Sequence, residues 1–200
     1  MALILETDRL LLRNWEEQDF APYHAMNNDS VVCEYFPDLQ TEGRSRNVIE
    51  RYREQEQREG YSFQPLIERA TGAFVGDIGL AKVQFDAGFQ GATEIGWMMQ
   101  RQFWGQGYAT EMARALLDHG FAVLGLAEVI AFTVPANARS RRVMERLGMV
   151  QDEAAGFDHP NIAEGHPLRP HVLYRATAPS APGTAEPAGT QAGLLPKSCS

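Results

Sequence analysis

Apolar positions recur along this chain at two spacings, and the switches between them mark its elements. Leu10 to Arg13 is a short apolar run of strand type. Glu16 to Met26 predicts a short helix, with Glu16, Glu17 and Asp19 suiting the positive end of its dipole and Pro22 near its start. Thr41 is a candidate N-cap for a helix that runs to Glu59 and stops at Gly60. Val48, Ile49 and Tyr52 form the apolar stripe of that helix, and its Arg/Glu/Gln-rich remainder is a solvated face. Tyr61–Arg69 and Ala73–Val83 flank Ala70-Thr71-Gly72 and predict a hairpin. Gly76 and Gly79 mark a bend, a bulge or a close backbone approach in its second strand. Asp86–Gly91 is a loop, and Ala92–Met99 is the next strand.

From Tyr108 the period lengthens again. Ala109, Met112, Ala113, Leu116 and Gly120 share one helical face, opposite Glu111, Arg114 and Asp118, and Gly125 closes the segment. Glu128–Val134 alternates as a strand and Pro135 stops it. Asn137 then caps a helix carrying Val143, Met144 and Leu147, closed by Gly148. Met149–Asp158 and His171–Thr177 predict a last hairpin around a long loop. The order β-α-α-β-β-β-α-β-α-β-β describes an α/β domain over residues 1–177, with a mixed sheet of about seven strands and about four helices. From Ala178 to Ser200 Pro, Gly, Ala and Thr dominate, and such a segment is expected to bury too little surface to order itself.

Composition narrows the function classes. Two hundred residues with 44% hydrophobic and 22% charged side chains predict one soluble domain. The net charge of −8 argues against a general nucleic-acid binder and favours cationic partners. Cys33 and Cys199 have no C-x-x-C companions, so free thiols, a reducing cytoplasm and no structural metal are expected. The N-terminus lacks a signal-peptide pattern, and Phe121–Phe132, interrupted by Gly125 and Glu128, is too broken to span a bilayer.

The chemistry concentrates in Gln102-Phe103-Trp104-Gly105-Gln106-Gly107-Tyr108-Ala109, between a strand and a helix N-terminus. Two glycines two apart free backbone N–H groups to point inward, and the helix dipole adds positive potential. Such a loop suits an anion with several oxygens, most simply a pyrophosphate, although strand-to-helix turns also use glycine for plain geometry. Thr110 stands where a dinucleotide-binding G-x-G-x-x-G loop needs its third glycine, and no lysine supplies a P-loop.

The pattern Gln102-x-x-Gly105-x-Gly107 after a strand resembles the acyl-CoA loop of the GCN5-related N-acetyltransferases (GNAT). A second stretch, Asn137-Ala138-Arg139-Ser140-Arg141-Arg142-Val143-Met144-Glu145-Arg146-Leu147-Gly148, resembles the helix that follows in that family. The opening Glu6-Thr7-Asp8-Arg9-Leu10-Leu11-Leu12-Arg13 is similar to the start of the ribosomal-protein N-terminal acetyltransferase branch. Together the resemblance covers residues 3–177. It implies a GNAT fold and direct acetyl transfer from acetyl-CoA to a primary amine, either a protein N-terminal α-amine or a small molecule. The alternative is a non-catalytic acyl-CoA-binding or protein-interaction module on the same fold.

The resemblance implies that Trp97, Met98, Met99, Gln102, Gly105, Gln106, Gly107, Tyr108, Ala109, Asn137, Ser140 and Arg142 hold the cofactor. Asn137 is equally an N-cap, and Arg139, Arg142 and Arg146 share a helix face that is either solvated or turned to a CoA phosphate. Glu94 shares a strand face with Gly96 and resembles the family's strand carboxylate that takes the amine proton; its other reading is a strand-edge salt bridge. Backbone N–H groups near Met98 and Met99 are candidates to polarise the thioester carbonyl. Many relatives carry Tyr seven positions after the capping Asn as the thiolate's proton donor. Met144 stands there instead, which leaves Ser140, with Tyr174 a weaker candidate. The resemblance also implies that the first two helices border the acceptor pocket. The loop 159–167 is expected to share in selecting the acceptor, and the chain is expected to act as monomer or homodimer.

Overall fold

The computed structural model describes residues 4–179, so most of the predicted Pro/Gly/Ala-rich tail lies outside the described residues. Nine strands, β1 (Leu5–Glu6), β2 (Leu10–Leu12), β3 (Phe63–Glu68), β4 (Phe74–Lys82), β5 (Thr93–Met99), β6 (Glu128–Thr133), β7 (Val150–Gln151), β8 (Phe157–Asp158) and β9 (Pro170–Thr177), form one system. Their spatial order is β1-β2-β3-β4-β5-β6-β9-β7, with β8 also on β9. Four α-helices accompany them: α1 (Phe20–Met26), α2 (Glu42–Glu59), α3 (Tyr108–Ala122) and α4 (Ala138–Arg146). The expected seven strands are therefore nine. The extra ones, β1 and the division of 149–158 into β7 and β8, are two-residue pairings too short to leave a period in the sequence.

The predicted caps are realised. Thr41 Oγ1 accepts from the Arg44 amide at 3.2 Å, and Gly60 ends α2 in the left-handed region at φ 82°. Asn137 Oδ1 accepts from the Ser140 amide at 3.2 Å, so its capping role is real. At the start of the chain, Glu17–Asp19 is a 3-10 turn and the α-helix begins only at Phe20.

Alternation sorts the strand residues onto two layers. Ile95, Trp97 and Met99 of β5 pack with Met112, Leu116 and Leu117 of α3, while Met98 packs with Tyr23 of α1 and Val48 and Ile49 of α2. Glu94 and Gly96 share the face of Met98. A bulge between Leu66 and Ile67 lets β4 bury both neighbours of the turn, Phe74 on the α1–α2 side and Val75 on the α3 side. At Gly76 and Gly79 a Cβ would come within 2.0 Å of the carbonyls of Met98 and Ser62, so these glycines mark close backbone approach.

Strand β5 and its neighbour β6 are parallel, yet only Glu94 and Ile130 are in register; beyond that pair the two strands part. This gap in the sheet is what positions the site. No helix among the described residues is long and apolar enough to cross a membrane.

Candidate active site

Gly107 caps α3 at φ 80° and Gly105 precedes it at φ 76°. A Cβ at Gly105 would meet nothing, and one at Gly107 only Arg9 Nη2 at 3.7 Å, so the left-handed backbone, not crowding, demands glycine here. No side chain caps the helix, whose first amides therefore remain open to an anion. The loop is braced from the chain's first segment. Arg9 donates to the Gln106 carbonyl at 3.0 Å, pairs with Glu111 in the first turn of α3, and lies over the Tyr108 ring at 4.5 Å. Thr7 Oγ1 donates to the same Glu111 carboxylate, and the Tyr108 hydroxyl donates to Glu68 at 2.6 Å. The Thr-Asp-Arg motif thus holds the glycine loop, a link that linear sequence did not reveal.

A cleft of about 410 Å³ opens between this loop, the end of β5 and α4. Ten of the sequence-predicted residues line it: Trp97, Met98, Met99, Gly105, Gly107, Tyr108, Ala109, Asn137, Ser140 and Arg142. Gln102 and Gln106 do not. Their amides are spent inside the loop, on Gln100 Oε1 at 3.1 Å and on the Gln102 carbonyl at 3.2 Å. Sequence reading missed the wall formed by Val32, Tyr35 and Phe36, which has no period of its own. Its anchors are Tyr35, donating to the Ala136 carbonyl at 3.2 Å, and Glu34, paired with Arg139 at 2.8 Å.

The arginine stripe divides by partner. Arg139 is paired and lies over the Trp104 ring at 4.4 Å, whereas Arg142 and Arg146 line the cleft without an ion pair among the described residues. Left-handed glycines, uncapped amides and two unpaired guanidiniums along one cleft fit a ligand carrying a pyrophosphate and a further phosphate.

The amide of Gln100 donates to Val75 of β4 at 2.8 Å. Antiparallel alternation then turns the Met98 amide to β4 and the Trp97 and Met99 amides to the gap beside β6. On that same side Trp104 Nε1 donates to the Met99 carbonyl at 2.8 Å, and both residues line the cleft.

Glu94 is not part of the cleft wall. It sits at the last shared register pair of β5 and β6, on the α1–α2 face, with no ion pair among the described residues. Burial alone pushes its carboxyl up to about 7. The salt-bridge reading of Glu94 therefore has no partner to rest on. Asp77 was not singled out from sequence; it lies on the same face of β4, opposite Met98, and burial raises its carboxyl to about 7 as well. Tyr174 is committed elsewhere, accepting from Arg141 Nε at 3.1 Å and donating to Gln151 at 2.9 Å, and Met144 is core. Cys33 is buried, with its thiol pushed up to about 11 by burial and by Asp29, which suits no nucleophile. No cluster of His, Cys, Asp and Glu among the described residues is arranged to hold a metal ion.

The profile of the acetyltransferase (GNAT) domain matches residues 9–150. The chain is 36% identical over 146 residues to the uncharacterized protein YkkB of Bacillus subtilis, covering 72% of this chain and 84% of that one. It is 30% identical to the uncharacterized N-acetyltransferase YnaD of the same organism, over 81% and 89% of the two chains. Among solved structures, a GNAT-family acetyltransferase from Bacillus anthracis superposes with a TM-score of 0.72 at 30% identity, covering 88% of this chain and 98% of that one.

Proposed function

The chain belongs to the GNAT acetyltransferase family and is an acetyl-CoA-dependent acetyltransferase; on that premise we propose direct transfer to a primary amine, with Glu94 as proton acceptor. The observation that carries the proposal is Glu94 itself, a carboxylate without a cation at the point where β5 leaves β6. The acceptor is either a small-molecule amine or a protein N-terminal α-amine, the latter suggested by the Thr7-Asp8-Arg9-Leu10 opening.

In this reading acetyl-CoA is held by the Gly105–Gly107 loop, the first amides of α3 and Arg142, and it supplies the acetyl thioester as second substrate. An alkylammonium ion carries its lone pair on a proton, so it must lose that proton before it attacks. Glu94, with its pKa near 7, takes it at neutral pH. The amine nitrogen bonds to the carbonyl carbon, and the carbon–sulfur bond breaks. The Met99 N–H is the donor for charge on the carbonyl oxygen. The second proton leaves the nitrogen for the departing thiolate, with Ser140 the hydroxyl beside it. Products are the acetamide, free CoA and one proton, held on Glu94 until solvent takes it.

The test measures CoA release and product mass over an amine panel. Glu94→Gln should lower kcat/KM by ~10²–10⁴-fold with acetyl-CoA affinity unchanged. Wild-type kcat/KM should rise through about pH 7 as Glu94 loses its proton, and the variant should lack that limb. A variant with wild-type kcat/KM from pH 6 to 10 sinks the role of Glu94. Acetyl-CoA binding with no amine turnover would favour a non-catalytic acyl-CoA-binding or protein-interaction module instead.

A further inference from the structure

The chain between α1 and α2 crosses the gap in the sheet. Its ends are pinned to each other: the Gln40 amide donates to the Asn27 carbonyl at 3.2 Å, and Asn28 Nδ2 donates to the Gln40 carbonyl at 2.7 Å. Ends this close make residues 28–39 an Ω-type loop. Its base is seated in the core. Val32 is buried with Tyr23 and Met26 of α1 and Phe74 of β4, and the Cys33 amide donates to the Asp29 carbonyl at 2.9 Å. Past Cys33 the loop leaves that layer, and Glu34 and residues 36–39 are exposed.

The outer part of the loop rests on the other side of the gap. The Tyr35 hydroxyl donates to the Ala136 carbonyl, in the turn between β6 and α4, and Glu34 pairs with Arg139 in the first turn of α4 at 2.8 Å. One end is thus carried by the β4 side and the other by the β6–α4 corner, so the segment lies where β5 and β6 part. Tyr35, Phe36 and Arg139 all line the cleft. The Arg139 guanidinium ties three of its walls together: the Glu34 carboxylate, the Trp104 ring at 4.4 Å and the Tyr35 ring at 5.8 Å. It is occupied by protein groups, unlike Arg142 and Arg146. The Arg139 and Glu34 side chains are 50% and 49% exposed, and an ion pair so open to water contributes little to the stability of a fold. Such contacts hold a segment in place and release it readily.

We propose that segment 34–36 is a gate over the cleft and that Arg139 is the positioning residue that latches it shut. Closed, the gate shields the end of β5 from water; open, it admits and releases CoA and its thioester. The inference concerns the CoA cleft and holds whichever amine is acetylated. It has a kinetic signature. Ligand passes only while the gate is open, so the association and dissociation rate constants both scale with the open fraction. The latch joins protein groups to protein groups, so loosening it raises both rates and leaves their ratio, the Kd, nearly unchanged. A guanidinium that held a CoA phosphate would behave differently, because its loss raises dissociation alone.

The test is stopped-flow binding of CoA to the full chain, followed by the fluorescence of Trp97 and Trp104, which line the cleft. Glu34→Gln, Tyr35→Phe and Arg139→Gln should each raise both rate constants by ~2–5-fold, the range of an exposed ion pair or one hydrogen bond. The double variant Glu34→Gln/Tyr35→Phe should raise both by ~5–20-fold, with Kd within about twofold of wild type. Arg139→Lys keeps the charge and should stay within about twofold of wild type in both rates. Tyr35→Phe removes a single oxygen and carries the test alone should an arginine variant fail to fold. Faster dissociation in Arg139→Gln with wild-type rates in Glu34→Gln would overturn the latch and make Arg139 a phosphate ligand. Wild-type rates in the double variant, whatever its melting temperature, would overturn the gate and leave the segment a fixed wall.

Discussion

Replacing Asp77 by Asn should stabilise the protein, and by an amount that depends on pH. In the folded state burial holds the Asp77 carboxyl at about 7 against an ordinary 3.8, with no cation to offset it. Between those values the native state keeps a proton that the unfolded chain has released. Unfolding then sheds a proton, and stability falls by about 1.4 kcal/mol per pH unit as pH rises. The loss is absent below pH 4 and complete above pH 7. Three units set a ceiling of about 4 kcal/mol, and partial relaxation around the group makes about 2–3 kcal/mol the expected figure. Asn has the same shape and no charge, so it should match wild type at pH 4 and exceed it at pH 8. Glu94 shifts the same way but keeps some contact with solvent, so its share is smaller. Urea unfolding of both proteins at four pH values between 4 and 8, without amine, measures the difference directly. Parallel stability curves would refute the reasoning, as would an Asn variant that is less stable at pH 8.

Gly107→Asp should leave the fold intact but weaken acetyl-CoA binding by more than ~30-fold, because a left-handed φ and a negative charge both oppose an anion at the α3 N-terminus; calorimetry with acetyl-CoA decides it. Arg142→Gln should raise the Kd for CoA by ~5–20-fold yet change that for dephospho-CoA little if the guanidinium serves the 3′-phosphate; equal losses on both ligands would assign it to the pyrophosphate. Arg9→Gln should raise KM for acetyl-CoA by ~3–10-fold with the acceptor KM unchanged, since Arg9 braces the Gln106 carbonyl and Glu111; a loss confined to melting temperature would make the brace purely structural.

Local chemistry was enough to read much of this protein from its sequence. Thr41, Gly60, Asn137 and the glycine loop act within one turn of their own position, so the residue type already states the conformation. Helix periods and strand alternation were equally legible, and with them the α/β class and the pairing of loop with α4 helix. The placement of Glu94 and Met98 on one face of β5 also follows from alternation alone.

What lies between distant segments was decided by tertiary structure. The bracing of the glycine loop by Thr7 and Arg9 joins positions about a hundred apart in the chain, and no local rule connects Arg9 to Glu111. The cleft wall from Val32 to Phe36 has no period, and docking against Ala136 and Arg139 gives it its place. Asp77 reads in sequence as an ordinary polar residue between two glycines. Only the layering of α1 and α2 over β4 removes it from water and leaves its Oδ1 without a partner, because burial is a property of the assembled layers and not of any one strand.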